Sequence, residues 1–146
     1  MKKRVVLLVE DNADDEELTI RALKRNHIAN EIVVARDGAI ALDYLFARGE
    51  FANRDPSIYL SLVLLDLKLP KVDGLEVLRQ LRENPPTASL PVVILTSSKE
   101  EQDLITGYKL GANSYIRKPV DFEQFSVAVG QLGLYWLVLN ELPHDA

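Results

Sequence analysis

Apolar residues fall in five short runs along the chain. Each run stops at polar residues and is followed by a stretch in which apolar positions recur at helical spacing. Val5-Val6-Leu7-Leu8-Val9 is unbroken and rich in β-branched residues, as in a strand covered on both faces. It ends at Glu10-Asp11-Asn12. The acidic run Asp14, Asp15, Glu16, Glu17 then opens a helix that Lys24 and Arg25 close, so both ends complement the helix dipole. Ile32 to Ala35 is the second strand. It leads through Asp37-Gly38 into a helix carrying Ala41, Leu42, Leu45 and Phe46 at helical spacing, which Gly49 ends. Glu50 to Ser57, with Asn53, Asp55 and Pro56, reads as a polar surface loop of more than usual length.

The third run, Leu62-Val63-Leu64-Leu65, is likewise unbroken and ends in the single carboxylate of Asp66, followed by Lys68-Leu69-Pro70. Asp73 with Glu76 forms a variant capping box, Leu75, Leu78 and Leu81 share one helix side, and Asn84-Pro85-Pro86 breaks the helix. Pro91 to Leu95 is the fourth strand, ending in Thr96-Ser97. Ser98 to Glu101 caps a helix that stops at Gly111. Ser114 to Arg117 is a short fifth strand delivering Lys118-Pro119, and Asp121 with Gln124 starts the last helix.

Strand and helix alternating five times predict a doubly wound parallel sheet with helices on both faces, because right-handed crossovers allow little else. In the five-stranded version the strand order is 2-1-3-4-5, and ligands bind beyond the carboxyl ends where the order reverses, between strands one and three. That geometry gathers Glu10 and Asp11, Asp66, Thr96 and Lys118 along one edge. A strand-end Asp beside Pro and Gly also serves as a turn residue, so Asp66 alone decides nothing. The set is more informative than any one member.

With 146 residues the chain fits one domain, and its 47% hydrophobic and 27% charged residues are the proportions of a globular protein. The net charge of -5 argues against nucleic-acid or anionic-membrane binding. The absence of Cys excludes disulfides and thiolate metal sites and fits a cytoplasmic location. Lys2-Lys3-Arg4 before the first strand is no signal peptide, since its apolar part is short and runs into Glu10-Asp11.

Three crowded carboxylates repel one another unless a cation neutralises them. A hard divalent ion, Mg²⁺, suits carboxylates, a carbonyl and waters. Zinc is disfavoured, because neither His27 nor His144 lies near these strand ends. Metal, ammonium and hydroxyl around a carboxylate suit a phosphoryl group, whose transfer depends on positioning and charge neutralisation. Asp66 would be the nucleophile, forming an acyl phosphate.

At these residues the chain resembles the receiver domain of two-component response regulators, over nearly its whole length. The matching features are Glu10-Asp11, Asp66 within Leu-Leu-Asp-Leu-Lys-Leu-Pro, Asp73-Gly74, Thr96 and Lys118-Pro119. The resemblance implies a flavodoxin-like (βα)5 fold, with residues 1–130 as core and 131–146 as an apolar helical extension. It implies that Asp66 accepts phosphate from a sensor histidine kinase and that Glu10, Asp11, Asp66 and the Lys68 carbonyl hold Mg²⁺. Thr96 and Lys118 would contact the phosphoryl oxygens, and the peptide bond before Pro119 would be cis. Tyr115 stands at the family's switch aromatic, so phosphorylation would draw in Thr96, turn the Tyr115 ring and alter the face made by the fourth helix, fifth strand and fifth helix. Catalysis would be limited to self-phosphorylation and autodephosphorylation.

The end of the chain departs from a minimal receiver. Phe125, Val129 and Leu132 form a core stripe, whereas Leu134 to Leu139, including Tyr135 and Trp136, is apolar on every side. That run is far shorter than the roughly 20 residues of a membrane span. It reads as a self-association or partner surface in preference to a tail folded back on its own domain. This tail and the long loop before strand three resemble the small response regulators paired with bacterial and cyanobacterial phytochromes, which implies a phytochrome partner and a homodimer through that same face and the C-terminal helix. The chain ends soon after, leaving no room for an output domain, so output is expected through protein contact. Two competitors are a phosphohydrolase, which usually carries a second acid where Lys68 stands, and a receiver-like binding module that is never phosphorylated and would be expected to have lost part of the pocket.

Overall fold

A computed structural model describes residues 3–25, 31–54, 58–96, 106–117, 123, 126 and 127, and the side chains of Lys3, Arg4, Ile58, Tyr59, Thr96, Ser114, Tyr115 and Arg117 are not among the described atoms. Five strands, β1 (Lys3–Val9), β2 (Glu31–Ala35), β3 (Ile58–Leu65), β4 (Val92–Thr96) and β5 (Ser114–Arg117), form one parallel sheet in the order β2-β1-β3-β4-β5. The helices α1 (Ala13–Arg25), α2 (Gly38–Leu45) and α3 (Gly74–Glu83) are the crossovers. The topology is the one that alternating strands and helices predict.

The unbroken apolar runs are explained by the two layers of core. Leu7, Val9, Val63, Leu65, Val92 and Ile94 point to the face covered by α2 and α3, where Leu42, Leu45, Val77, Leu78 and Leu81 meet them. Val6, Leu8, Leu62, Leu64, Val93 and Leu95 point to the opposite face, covered by Ala22 and Leu23 of α1. A strand buried on both sides has no polar position to alternate with.

Three local features depart from expectation. β3 begins at Ile58, before the predicted Leu62, and the β1–β3 register shifts between the pairs Val5–Leu60 and Val6–Leu62. Ser61 is the extra residue, fully buried with its hydroxyl lacking a hydrogen-bond partner among the described residues. This bulge sends Leu60 to one core layer and Leu62 to the other. α2 ends at Leu45, short of Gly49, because Ala47 takes φ 53° and Gly49 φ 56°, both left-handed. The loop that follows is also less polar than it reads, since a 3-10 turn (Gly49–Phe51) packs Phe51 edge-on against Tyr44 at 5.1 Å. The Arg54 guanidinium lies over the other partner's ring, 4.7 Å from Tyr44, and burial raises the Tyr44 pKa.

Arg82 ties the far end of the sheet together. From the last turn of α3 its guanidinium donates to the carbonyls of Ala88 and Leu90 (3.1 and 2.7 Å), of Gly111 (2.8 Å), and to Asn113 Oδ1 (3.2 Å). Asn113 in turn accepts from Val92 N at the start of β4 through the same oxygen and donates its own N–H to the Val92 carbonyl. Half-burial lowers the Arg82 pKa. Residues 106–109 are helical, and no helix among the described residues is long and apolar enough to cross a membrane.

Candidate functional site: an acidic cluster at the strand ends

The order reverses between β1 and β3, and there the paired strands end side by side at Val9 and Leu65. The ladders run one residue further, with Asp66 N donating to the Val9 carbonyl across β1 and β3 and Glu10 N to the Ala35 carbonyl across β1 and β2, each at 3.0 Å. Glu10 and Asp66 are therefore placed by sheet hydrogen bonding, not by loop conformation. Both are buried, at 2% and 8% exposure, whereas Asp11 is exposed.

Glu10, Asp11 and Asp66 each bring a carboxylate oxygen to within 4.8 Å of the others. Two buried acids and a third at that spacing call for positive charge. All three donors are carboxylate oxygens, which fit a hard divalent cation far better than zinc. Beside the cluster lies an open depression of ≈ 380 Å³, lined by Asp11, Lys68, Leu69, Pro70, Asp73 and Leu75. This is room for a small charged group next to the acids.

Backbone donors orient the carboxylates. Lys68 N donates to Asp66 Oδ1 (3.2 Å) and Asn12 N to Glu10 Oε2 (3.3 Å). Asn12 was not singled out by sequence reasoning. Its Oδ1 accepts from Asp15 N at 2.9 Å, so it caps α1 while its N–H holds Glu10. An Asn just before the first helical residue was the available signal.

The loop from Asp66 to α3 is built without slack. Leu67 is buried, and its carbonyl accepts from Leu69 N (3.2 Å) and Gly74 N (2.9 Å). Gly74 presses against the loop backbone so closely that an added Cβ would lie 2.2 Å from the Asp66 carbonyl oxygen. Asp73 Oδ1 caps α3 by accepting from Glu76 N at 3.0 Å, as the capping box predicts.

The structure thus brings Glu10, Asp11, Asp66 and the Lys68 backbone together. Thr96 ends β4 opposite Arg117, and Tyr115 pairs with Ile94, but neither side chain is described. Lys118, Pro119, Tyr135 and Trp136 lie outside the described residues, as does the whole 131–146 extension.

Comparison with known proteins gives concordant results. Residues 6–130 match the response regulator receiver domain family. The chain is 39% identical over 140 residues to response regulator Rcp1 of Synechocystis sp., covering 96% of this chain and 93% of that protein. The crystal structure of the phosphorylated cyanobacterial phytochrome response regulator RcpA superposes with a TM-score of 0.87 at 38% identity, covering 97% of this chain and 99% of that one. The Mn²⁺-bound form of Rcp1 gives 0.85 at 39% identity, covering 95% and 98%.

Proposed function

The chain belongs to the response regulator receiver domain family, and from that membership we propose that it is a stand-alone regulator that takes a phosphoryl group onto Asp66 from a sensor histidine kinase. The observation that carries this reading is the meeting of Glu10, Asp11 and Asp66 at the sheet's reversal point, beside space for a phosphoryl group. Receiver domains bind a divalent metal. For this chain the ion is Mg²⁺, held by Glu10, Asp11, Asp66 and the Lys68 carbonyl, and its charge would offset that of the transferring phosphoryl oxygens.

In the transfer, a carboxylate oxygen of Asp66 attacks phosphorus as the bond from phosphorus to the donor imidazole nitrogen breaks, leaving an acyl phosphate and a neutral histidine once that nitrogen is protonated. The Lys68 N–H on Oδ1 fixes the carboxylate's rotation during attack. Lys118 and Thr96 would bind the phosphoryl oxygens, and Thr96 and Tyr115 would relay the change to the face of the fourth helix, β5 and the fifth helix. Hydrolysis of the acyl phosphate by water returns the carboxylate and inorganic phosphate, so the chain's catalysis is confined to its own phosphorylation cycle.

The likeness to the cyanobacterial phytochrome response regulator RcpA supports a phytochrome as the upstream kinase. The acidic net charge supports a protein partner over nucleic acid or membrane, and the absence of Cys a cytoplasmic setting. Tyr135 and Trp136 would help a homodimer form. The test is the rate of phosphorylation by acetyl phosphate as Mg²⁺ is titrated. A saturable dependence, moved to higher Mg²⁺ by Glu10→Gln, is expected, and a rate indifferent to metal would reject the reading.

A further inference from the structure

The β3–α3 loop contains a backbone conformation that its residue type does not favour. Lys71 has φ 66°, in the left-handed region that a side chain with a Cβ adopts only at some cost, and Val72 N donates to the Pro70 carbonyl at 2.8 Å across it. A three-residue turn closed in this way at positive φ is the rare, strained form of the γ-turn. Such strain persists only when the surroundings over-determine it, and it collects where position matters for function.

The surroundings here are the start of α2. The Pro70 carbonyl that closes the turn also accepts from Gly38 N at 3.4 Å, and a Cβ on Gly38 would sit 1.8 Å from the Val72 carbonyl oxygen. Asp37 joins the two segments through both its oxygens. Oδ1 caps α2 by accepting from Ile40 N (2.7 Å), and Oδ2 lies 3.7 Å from Lys71 Nζ. Asp37 is buried and held by the helix it caps, so the lysine is the movable half of the pair.

We infer that Lys71 is a positioning residue for the acidic site: its strained turn, latched onto Asp37, sets the course of the segment that carries the Lys68 amide and carbonyl. The inference rests on the function proposed above. Between the buried Leu67 and Lys71 only three residues intervene, among them Pro70, and the first turn is itself closed by Leu69 N on the Leu67 carbonyl. A displacement at Lys71 therefore has nowhere to be absorbed before Lys68, whose N–H holds Asp66 Oδ1 and whose carbonyl would complete the metal site. Through this latch the β2–α2 corner becomes a second place from which the phosphorylation site can be tuned.

The test compares Lys71→Gly, Lys71→Ala, Lys71→Arg and Asp37→Asn with the natural chain, measuring Mg²⁺ affinity by calorimetry, the acetyl phosphate reaction at saturating Mg²⁺, and urea stability. Lys71→Gly removes both the backbone strain and the ion pair. It should leave stability equal or higher yet weaken Mg²⁺ binding about two- to five-fold, the range an exposed ion pair carries, with the saturating rate retained. Lys71→Ala and Asp37→Asn should each weaken it similarly and their combination no further, whereas Lys71→Arg should bind as the natural chain does. If the natural chain is phosphorylated in a Mg²⁺-dependent way while Lys71→Gly and Lys71→Ala bind Mg²⁺ equally well, the inference is wrong and the proposed function stands. If the natural chain binds no Mg²⁺ and takes no phosphate, both fall together.

Discussion

Replacing Gly74 by Ala sets two effects against each other, and distances decide which wins. Gly74 is the first residue of α3 and is not at positive φ, so Ala is allowed there and by helix propensity would stabilise by up to about 1 kcal/mol. Against this, the new Cβ would lie 2.2 Å from the Asp66 carbonyl oxygen and 2.7 Å from Leu67 Cα, where ordinary contact begins at 3.4 Å. Both neighbours are backbone atoms and cannot swing away, so the loop must retreat by about 1 Å. Overpacking of this kind costs typically 1–3 kcal/mol, which exceeds the propensity gain. The net expectation is a loss of about 1–2 kcal/mol in urea unfolding followed by circular dichroism. A shift of that size beneath the acceptor should also cost on the order of 100-fold in the rate of phosphorylation by acetyl phosphate, because near-attack geometry tolerates little displacement. An unchanged or higher urea midpoint together with an unchanged rate would show that α3 does not brace the Asp66 loop.

Other consequences are open to measurement. Arg82→Ala removes the donor shared by the Leu90, Ala88 and Gly111 carbonyls and Asn113, and should cost about 2–4 kcal/mol in urea unfolding, while Arg82→Lys, whose ammonium cannot span that fan, should recover less than half. Ser61→Ala deletes a buried hydroxyl that has no partner among the described residues and should be neutral or stabilising by up to about 1 kcal/mol; clear destabilisation would mean that the hydroxyl is bonded. Hydrogen bonds from Arg79, then Gln80, hold the Glu76 carboxyl down to about 2. A carboxyl depressed in the folded state stabilises above its unfolded value near 4.3 and loses that contribution as pH falls through its folded value. The melting difference between the natural chain and Glu76→Gln should therefore be present at pH 6 and vanish between about pH 4 and 2, by only a small amount because the pair is solvent-exposed.

How much was legible in the sequence follows from which interactions are local. The runs Val5–Val9, Leu62–Leu65 and Val92–Leu95 are apolar throughout because the sheet is covered on both faces, and the first two end where the backbone leaves the sheet, so Glu10, Asp11 and Asp66 could be placed on one edge from the alternation alone. The start of β3 could not, since Tyr59 and Ser61 interrupt the apolar pattern and the bulge that accommodates Ser61 depends on β1. The early end of α2 was hidden for a related reason. Phe46 continues the helical spacing, and the left-handed Ala47 that stops the helix is a residue type with no turn signature. Gly38 and Gly74 read only as the residues that follow Asp37 and Asp73 into a helix, whereas their role is to let backbone from elsewhere approach. That close approach, like the latch between Lys71 and Asp37, exists only once the β3–α3 loop is laid against α2.

The proposed function stands or falls with Asp66 as the acceptor of a metal-assisted phosphoryl transfer. Intact mass after incubation with acetyl phosphate and Mg²⁺, with and without chelator and beside Asp66→Asn, tests it most directly. One phosphate-sized gain is expected, lost in chelator and absent from Asp66→Asn. An equal gain in Asp66→Asn, or none in the natural chain with metal present, would contradict it.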